Sequence, residues 1–152
     1  KSMPGVILNF NTGFTICFWF YSTKSQLHEC CSYLFNANSP TLRVFIVSGA
    51  TGQDINIGGS SYSIAPTANA AINTWIHCCV KASAGVVYLY LNGVLRGSVN
   101  PGMGNSNYTA SLHRLGDWRA PARADSQYIA DYRFYNVALT DTQITSVMNN
   151  TM

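Results

Sequence analysis

The feature that most constrains this chain is a rhythm of short β-prone runs separated by turn-forming clusters. Phe14 to Tyr21 (FTICFWFY) is the densest run. Ser32 to Asn36 and Thr41 to Ser48 lie on either side of Asn38-Ser39-Pro40, and Asp54 to Ile57 and Ser61 to Ile64 flank Gly58-Gly59. Trp75 to Lys81, Val86 to Val99, Ser111 to Leu115 and Tyr128 to Asn136 complete the series. β-branched and aromatic side chains suit a pleated, half-buried surface, while Gly, Asn, Ser and Pro supply the reversals. Strands at this spacing, with no helices alternating between them, build a sandwich or barrel and not βαβ units. A chain of 152 residues is long enough for one domain with a substantial core.

Two local signals sharpen this reading. Asn92-Gly93 sits between strand-like flanks, and both residues tolerate the positive φ of a type I′ turn, so a hairpin is expected there. A two-residue turn pairs Leu91 with Val94, Tyr90 with Leu95 and Leu89 with Arg96. Arg96 marks its face, with Leu89, as the outer one, and Tyr88, Tyr90 and Leu95 are expected to point inward. Thr140 to Met148 is the one segment that reads as a helix. Thr140 can cap it, Asp141 suits its positive end, and Gln143 occupies the capping-box position. Ile144, Val147 and Met148 then form one apolar stripe, expected to lie over a sheet edge or the mouth of the core.

Charge narrows the range of partners. Only 10% of residues are charged, against roughly 25% in ordinary soluble domains. Ser, Thr, Asn and Gly take their place, giving the neutral polar exterior common in secreted, cell-surface and virion proteins. The net charge of +3 is small, and the nine basic residues are scattered. Only Arg114, Arg119 and Arg123 approach a cluster, which is too little for a nucleic-acid groove. No stretch of about 18 apolar residues occurs, so membrane insertion is not expected. A chain that begins at Lys1 reads as a single domain, residues 1–152, excised from a longer protein.

Five cysteines fall as Cys17, Cys30–Cys31 and Cys78–Cys79. Neighbours on an extended strand point to opposite faces, so Cys78 and Cys79 cannot bridge each other. No zinc-type spacing exists. The expectation is mostly free, buried thiols, with one disulfide between distant segments left open.

Several segments, in order, resemble the laminin-G-like and concanavalin A-like lectin/glucanase superfamily. Phe14-Thr15-Ile16-Cys17-Phe18-Trp19 resembles its F-T-I-x-x-W strand, and Trp75-Ile76-His77 its W-x-H. Leu89-Tyr90-Leu91-Asn92-Gly93 resembles its L-Y-x-N-G hairpin, and Leu115-Gly116 its L-x-I-G strand end. Ile129 to Asn136, then Ala138-Leu139-Thr140-Asp141, resembles I-D-D-V-R-I-Y-N-x-A-L-T-D. The resemblance covers residues 10 to 147. It implies an all-β, two-sheet antiparallel jelly-roll sandwich with one short C-terminal helix. Ala130 departs from the pattern by replacing an acidic residue, which weakens a family-type calcium site. Cys78 and Cys79 replace small aliphatics, and the usual first strand is short or absent before Phe10.

The fold alone does not settle function, because one sandwich hosts lectins, adhesion modules and glycosidases. A retaining glycosidase needs two carboxylates about 5 Å apart, one of them protonated. This chain has one glutamate, Glu29, and isolated aspartates at 54, 117, 125, 131 and 141, with no E-x-D-x-x-E strand. It is therefore not expected to be an enzyme. His77 falls at a structural position of the resemblance, and nothing links His28 or His113 to a nucleophile. Gly58-Gly59 and Gly102-x-Gly104 lack the Lys-Ser/Thr of a phosphate loop.

Sugars are held by aromatic faces and planar polar groups, which loops at one end of a sandwich commonly supply. Two stretches qualify: Asn100 to Thr109 with Asn107 and Tyr108, and Gly116 to Gln127 with Asp117, Trp118, Arg119 and Arg123. Trp118 either stacks on a ligand or folds back over the sheet end. Asp117 and Asp125 either hold calcium, the one cofactor considered, or pair with loop groups. Trp19 and Trp75, in matched strands, are expected in the core, and Asp131 and Arg133 form a structural pair. Asn107-Tyr108-Thr109 and Asn149-Asn150-Thr151 are glycosylation triplets. The leading expectation is a non-catalytic carbohydrate-binding or adhesion module meeting glycan on a cell surface or cell wall. The alternative is an assembly or host-attachment module of a virion or fibre that binds other protein subunits. A divergent glycoside hydrolase ranks third. Each places the domain outside the cell, on a cell surface or on a virion.

Overall fold

The alternation of Phe14, Ile16, Phe18 and Phe20 with Thr15, Cys17, Trp19 and Tyr21 becomes the centre of the fold. The computed structural model describes residues 6–23, 32–35, 42–44, 53–57, 60–64, 73–102, 107–110, 112–115 and 127–150. These form β1 (Val6–Asn9), β2 (Phe14–Ser22), β3 (Ser32–Phe35), β4 (Leu42–Val44), β5 (Gln53–Ile57) and β6 (Ser60–Ile64). They continue as β7 (Ile76–Ser83), β8 (Val86–Leu91), β9 (Val94–Val99), β10 (Asn107–Ala110), β11 (Leu112–Leu115), β12 (Gln127–Tyr135) and helix α1 (Asp141–Met148). One five-stranded sheet has the order β12-β2-β7-β8-β9, the other β11-β3-β4-β5-β6, and β1 pairs with β10 in a ribbon. Every pairing is antiparallel. The two-sheet concanavalin A-like jelly roll expected from the sequence is what forms.

The β2 sheet divides its side chains between two apolar clusters. Phe14, Ile16, Phe18 and Phe20 join Cys78, Val80, Ala82, Val87, Leu89 and Leu91 on the inner face. Burying each large side chain contributes roughly 1.5–3 kcal/mol. On the outer face, Cys17, Cys79 and Tyr90 pack against Leu139, Ile144 and Val147. The helix therefore lies on the face of the sheet, not over an edge or a core mouth. Its capping box forms as expected, with Thr140 Oγ1 accepting from Gln143 N at 3.2 Å and Gln143 Oε1 accepting from Thr140 N at 2.9 Å. Cys17, Cys78 and Cys79 are free and buried, and Cys78 and Cys79 do face opposite clusters. Cys30 and Cys31 lie outside the described residues.

Two β-bulges decide which side chains face out. The Asn92-Gly93 turn forms, with φ of 50° and 74°, and pairs Leu91 with Val94 and Tyr90 with Leu95. Beyond it the register shifts, so Leu89 meets Gly97 and Arg96 is the extra residue. The expected Leu89–Arg96 pair is thus replaced, and the faces invert. Leu89 is buried inside, Tyr88 and Tyr90 lie beneath the helix, and Leu95 is exposed. Arg96 could not report the face of Leu89, because a bulge breaks period-two alternation. A second bulge, between Ala130 and Arg133, holds Asp131 at φ 49° and sets Tyr132 inward against Phe18.

The first strand is short, one of the two expected cases, while the Asn107 stretch differs from expectation. The strand before Phe10 is four residues long: β1 runs from Val6 to Asn9 and pairs Asn9 with Asn107. Asn107 to Ala110 is strand β10, not loop. Gly13, after β1, has φ of 103°, and a Cβ there would sit 2.7 Å from Ala82 O and Ala138 Cβ. Only glycine fits that crossing of the β1–β2 turn with the segment entering α1.

Candidate functional site

Helix α1 covers one half of the outer face of the β2 sheet and leaves side chains in the other half exposed. Cross-strand register lays the face out in rows across β12, β2 and β7. Two rows are covered. One holds Cys17 and Cys79, continued by Tyr90, with Arg133 partly exposed at its β12 end, and the other Tyr135, Thr15 and Lys81, continued by Tyr88. Helix α1 packs on these.

Polar groups seat the helix. Thr15 Oγ1 donates to Val137 O at 2.8 Å and accepts from Leu139 N at 2.9 Å, completely buried. Asp141 Oδ1 accepts from Tyr90 Oη at 2.7 Å and from Lys81 Nζ at 3.0 Å. Those two bonds, Tyr90's first, hold the Asp141 carboxyl below its usual pKa. Burial opposes charge on Lys81, but bonds to Tyr90 and Asp141 outweigh it and raise its pKa. The Lys81 ammonium also lies 5.2 Å from the Tyr88 ring centre and 5.0 Å from that of Tyr90.

The other end of the same face, beyond the helix, leaves Trp75, Tyr128 and Ala130 exposed. Tyr128 pairs with Tyr21, and Trp75 immediately precedes β7 on the far side of Tyr21. Their ring centres are 5.9 Å and 5.4 Å from that of Tyr21, so the three form one aromatic row. Tyr128 is 56% exposed and Trp75 44%. The next row is Ala130, Trp19 and His77. Trp19 is half-buried, its ring 5.3 Å from that of His77. Trp19 and Trp75 are therefore not in the core, although strand patterning pointed there. A strand tryptophan is as compatible with an open sheet face as with a closed one.

His77 is the buried member of this group, 1% exposed. Burial pushes its pKa down to about 4, with Asp131 raising it and Arg133 lowering it to smaller extents. It is neutral near pH 7, and its Nδ1 has no hydrogen-bond partner among the described residues. Its backbone N–H donates to Asn92 Oδ1 at 2.8 Å, tying the hairpin turn to β7. At the border with the covered half, Arg133 Nε donates to Asp131 Oδ1 at 2.8 Å and Arg133 Nη2 to Asn150 Oδ1 at 2.6 Å. The expected Asp131–Arg133 pair forms, brought together through the bulge. Among the described residues, the carboxylates on this face, Asp131 and Asp141, are each engaged by a cation. Asp141, held below its usual pKa, is ionised rather than poised as a general acid.

Of the loop residues singled out from sequence, Asp117, Trp118, Arg119, Arg123 and Asp125 lie outside the described residues, as do His28 and Glu29. Their segment enters the sheet at Gln127, which pairs with Ser22 beside the aromatic row. Asn107 and Tyr108 sit elsewhere. Asn107 pairs with Asn9, next to the turn into Phe14 at the other end of β2, roughly 25 Å away along the strand. The structure therefore does not anchor the two candidate stretches at one end. Tyr21, Trp75 and Tyr128 escaped the sequence reading. The signal that could have found them was their common parity: each shares a face with Cys17 and Cys79, opposite the Phe14–Phe20 core. Among the described residues, no group of three or more His, Cys, Asp or Glu is placed to hold a metal. Among them, too, no helix is long and apolar enough to cross a membrane.

The family model described as the concanavalin A-like lectin/glucanases superfamily matches residues 2–145. The chain belongs to that superfamily. No curated protein matches its sequence. Among solved structures, it is similar to a heptameric SAP-like pentraxin from Limulus polyphemus, with a TM-score of 0.72 and 16% identity over 97% of this chain and 72% of that one. It is also similar to domain 4 of an extracellular arabinanase from Geobacillus stearothermophilus, solved with arabinotriose, with a TM-score of 0.65 and 18% identity over 96% and 70%. A third is a structure of botulinum neurotoxin type C, reported as dependent on two ganglioside molecules for cell entry, with a TM-score of 0.67 and 18% identity over 95% and 37%. At these identities the likeness shows a shared fold, and the chain spans little more than a third of the toxin chain.

Proposed function

We propose that this superfamily member is a non-catalytic carbohydrate-binding module acting outside the cell, on a cell surface or cell wall. The observation that carries this reading is the aromatic row left bare beside the helix, where ring faces are available for the C–H surface of a sugar. The similar pentraxin, arabinanase domain and toxin support it as proteins of the same fold, two of them described with sugars or gangliosides. The segment carrying Asp117, Trp118, Arg119 and Arg123 joins the sheet at the same end and is proposed to add hydrogen bonds and a stacking ring. Asn107 and Tyr108, at the opposite end, are proposed only as a separate contact. A calcium ion held by Asp117 and Asp125 is proposed as an accessory that would organise that segment.

A glycan array run with and without calcium tests this. Retention of a defined glycan set, lost in Trp118→Ala without a change in thermal transition, is expected. Binding of no glycan by folded protein would refute the reading. A second reading, assembly through protein contacts, is favoured by one observation. Val94 and Leu95, 54% and 48% exposed, lie on β9 at the edge of the sheet. A concentration-independent oligomer by light scattering, dissolved by Leu95→Lys and lacking glycan affinity, would establish it instead.

A further inference from the structure

We propose that the half of the outer sheet face beyond helix α1, across β12, β2 and β7, where Tyr128, Trp75 and Ala130 are exposed, is an oligosaccharide site for uncharged glycan chains. The proposal rests on the carbohydrate-binding reading above and names the site and ligand class for it. Tyr128, Tyr21 and Trp75 supply one end of the site as contiguous rings on three adjacent strands. Ala130, exposed and one carbon long, makes a step beside Trp19, where a larger residue would close the surface. Asp131, Arg133 and Asn150 supply the other end as a bonded set of planar donors and acceptors. From the aromatic row to the Arg133 row is two steps of the pleat, or about 13 Å. That length suits linked sugar rings rather than a monosaccharide. The chain would lie along the strands, ring faces on the aromatics and hydroxyls reaching the ion pair.

Area and charge select this occupant. With 44% and 56% of their surfaces free, Trp75 and Tyr128 together expose about 200 Å². A stable protein interface takes about 800 Å² from each partner, several times what the row offers. Arg133, the one cation at this end of the face among the described residues, is matched by Asp131, so none of the described residues selects an anionic lipid or an acidic sugar. His77 beside Trp19 is neutral at neutral pH and adds no charge. Hydroxyl-rich, uncharged ligands are what such a surface can hold without leaving a charge desolvated.

The test is titration calorimetry with uncharged gluco-, xylo-, galacto- and arabino-oligosaccharides, alongside sialylated and sulfated counterparts, using the whole chain. Trp75→Ala and Tyr128→Ala are each expected to weaken the retained oligosaccharide about tenfold. Ala130→Arg, which removes no contact and fills the step, is expected to do the same. Ile7→Ala, an exposed residue on β1, is expected to leave affinity unchanged. Thermal transitions close to wild type show that each variant is folded. Wild-type affinity in folded Trp75→Ala and Ala130→Arg would overturn this site while leaving the glycan-binding reading standing. Preference for the sialylated or sulfated forms would overturn the ligand class. Failure of the wild type to bind any oligosaccharide would overturn both.

Discussion

Thr15→Val removes one oxygen from the interior and should cost more than most core truncations of equal size. The Thr15 side chain is fully buried, and its hydroxyl spans two backbone groups of the segment entering α1. Valine has the same shape, so no cavity forms and the loss is one of hydrogen bonding alone. The Leu139 amide belongs to a residue 3% exposed, so it is left buried and unpaired, at about 1–3 kcal/mol. The Val137 carbonyl belongs to an exposed residue and can recruit water, so its lost bond adds about 1 kcal/mol. The variant should therefore be about 2–4 kcal/mol less stable, a large share of the stability of a domain this size. Urea unfolding should show a lower midpoint at unchanged slope, because the surface exposed on unfolding does not change. Hydrogen exchange should also quicken at Ile144 and Val147, which dock beside Leu139. Thr15→Ser, which keeps the hydroxyl, should cost no more than about 1 kcal/mol for its methyl group. A loss below about 0.5 kcal/mol in Thr15→Val, or an equal loss in Thr15→Ser, would refute the reasoning.

Other consequences can be checked separately. His77 titrates at about 4 in the fold against 6.5 in the unfolded chain. The unfolded chain binds the proton first, so this contribution is complete above pH 6.5 and drains away as pH falls towards 4, by up to about 3 kcal/mol. Urea midpoints should decline across that window, and a flat profile there would contradict the burial of His77. Thr140→Ala opens the capping box and should cost about 1 kcal/mol, read as a lower thermal midpoint. Cys17 and Cys79 stand directly opposite on β2 and β7, with Sγ atoms 2.7 Å apart, while Cys78 faces the other cluster. Oxidative refolding should therefore join Cys17 to Cys79 whenever these three thiols bridge among themselves, and peptide mapping that found Cys78 joined to Cys17 or Cys79 would contradict the register.

Alternation made the fold legible. FTICFWFY separates Phe14, Ile16, Phe18 and Phe20 from Thr15, Cys17, Trp19 and Tyr21 by parity alone, and Asn92-Gly93 and the Thr140–Gln143 pair announce a turn and a cap that both form. Parity fails at bulges, and both bulges here moved functional or core side chains. Arg96 inverted the expected faces of Leu89 and Tyr90, and Asp131 shifted Arg133 onto the outer face. Alternation also says which residues share a face, but not what covers it. That is why Trp19 and Trp75 read as core: the helix that covers one half of their face leaves the other half open, and its reach is a tertiary fact. The short β1 and β10 were invisible because four residues carry too little pattern, so Asn107 and Tyr108 passed for loop.

Sugar is proposed to meet this protein on the open end of the β2 sheet. An NMR titration of labelled protein with the best-bound uncharged oligosaccharide tests it most directly. Shifts are expected at the Trp75 indole and along residues 19–22, 75–77 and 127–133, with the helix-covered Cys79 to Lys81 stretch unmoved. Shifts confined to the Val94–Leu95 edge or to the Asn9–Asn107 end, or none at saturating sugar, would contradict it.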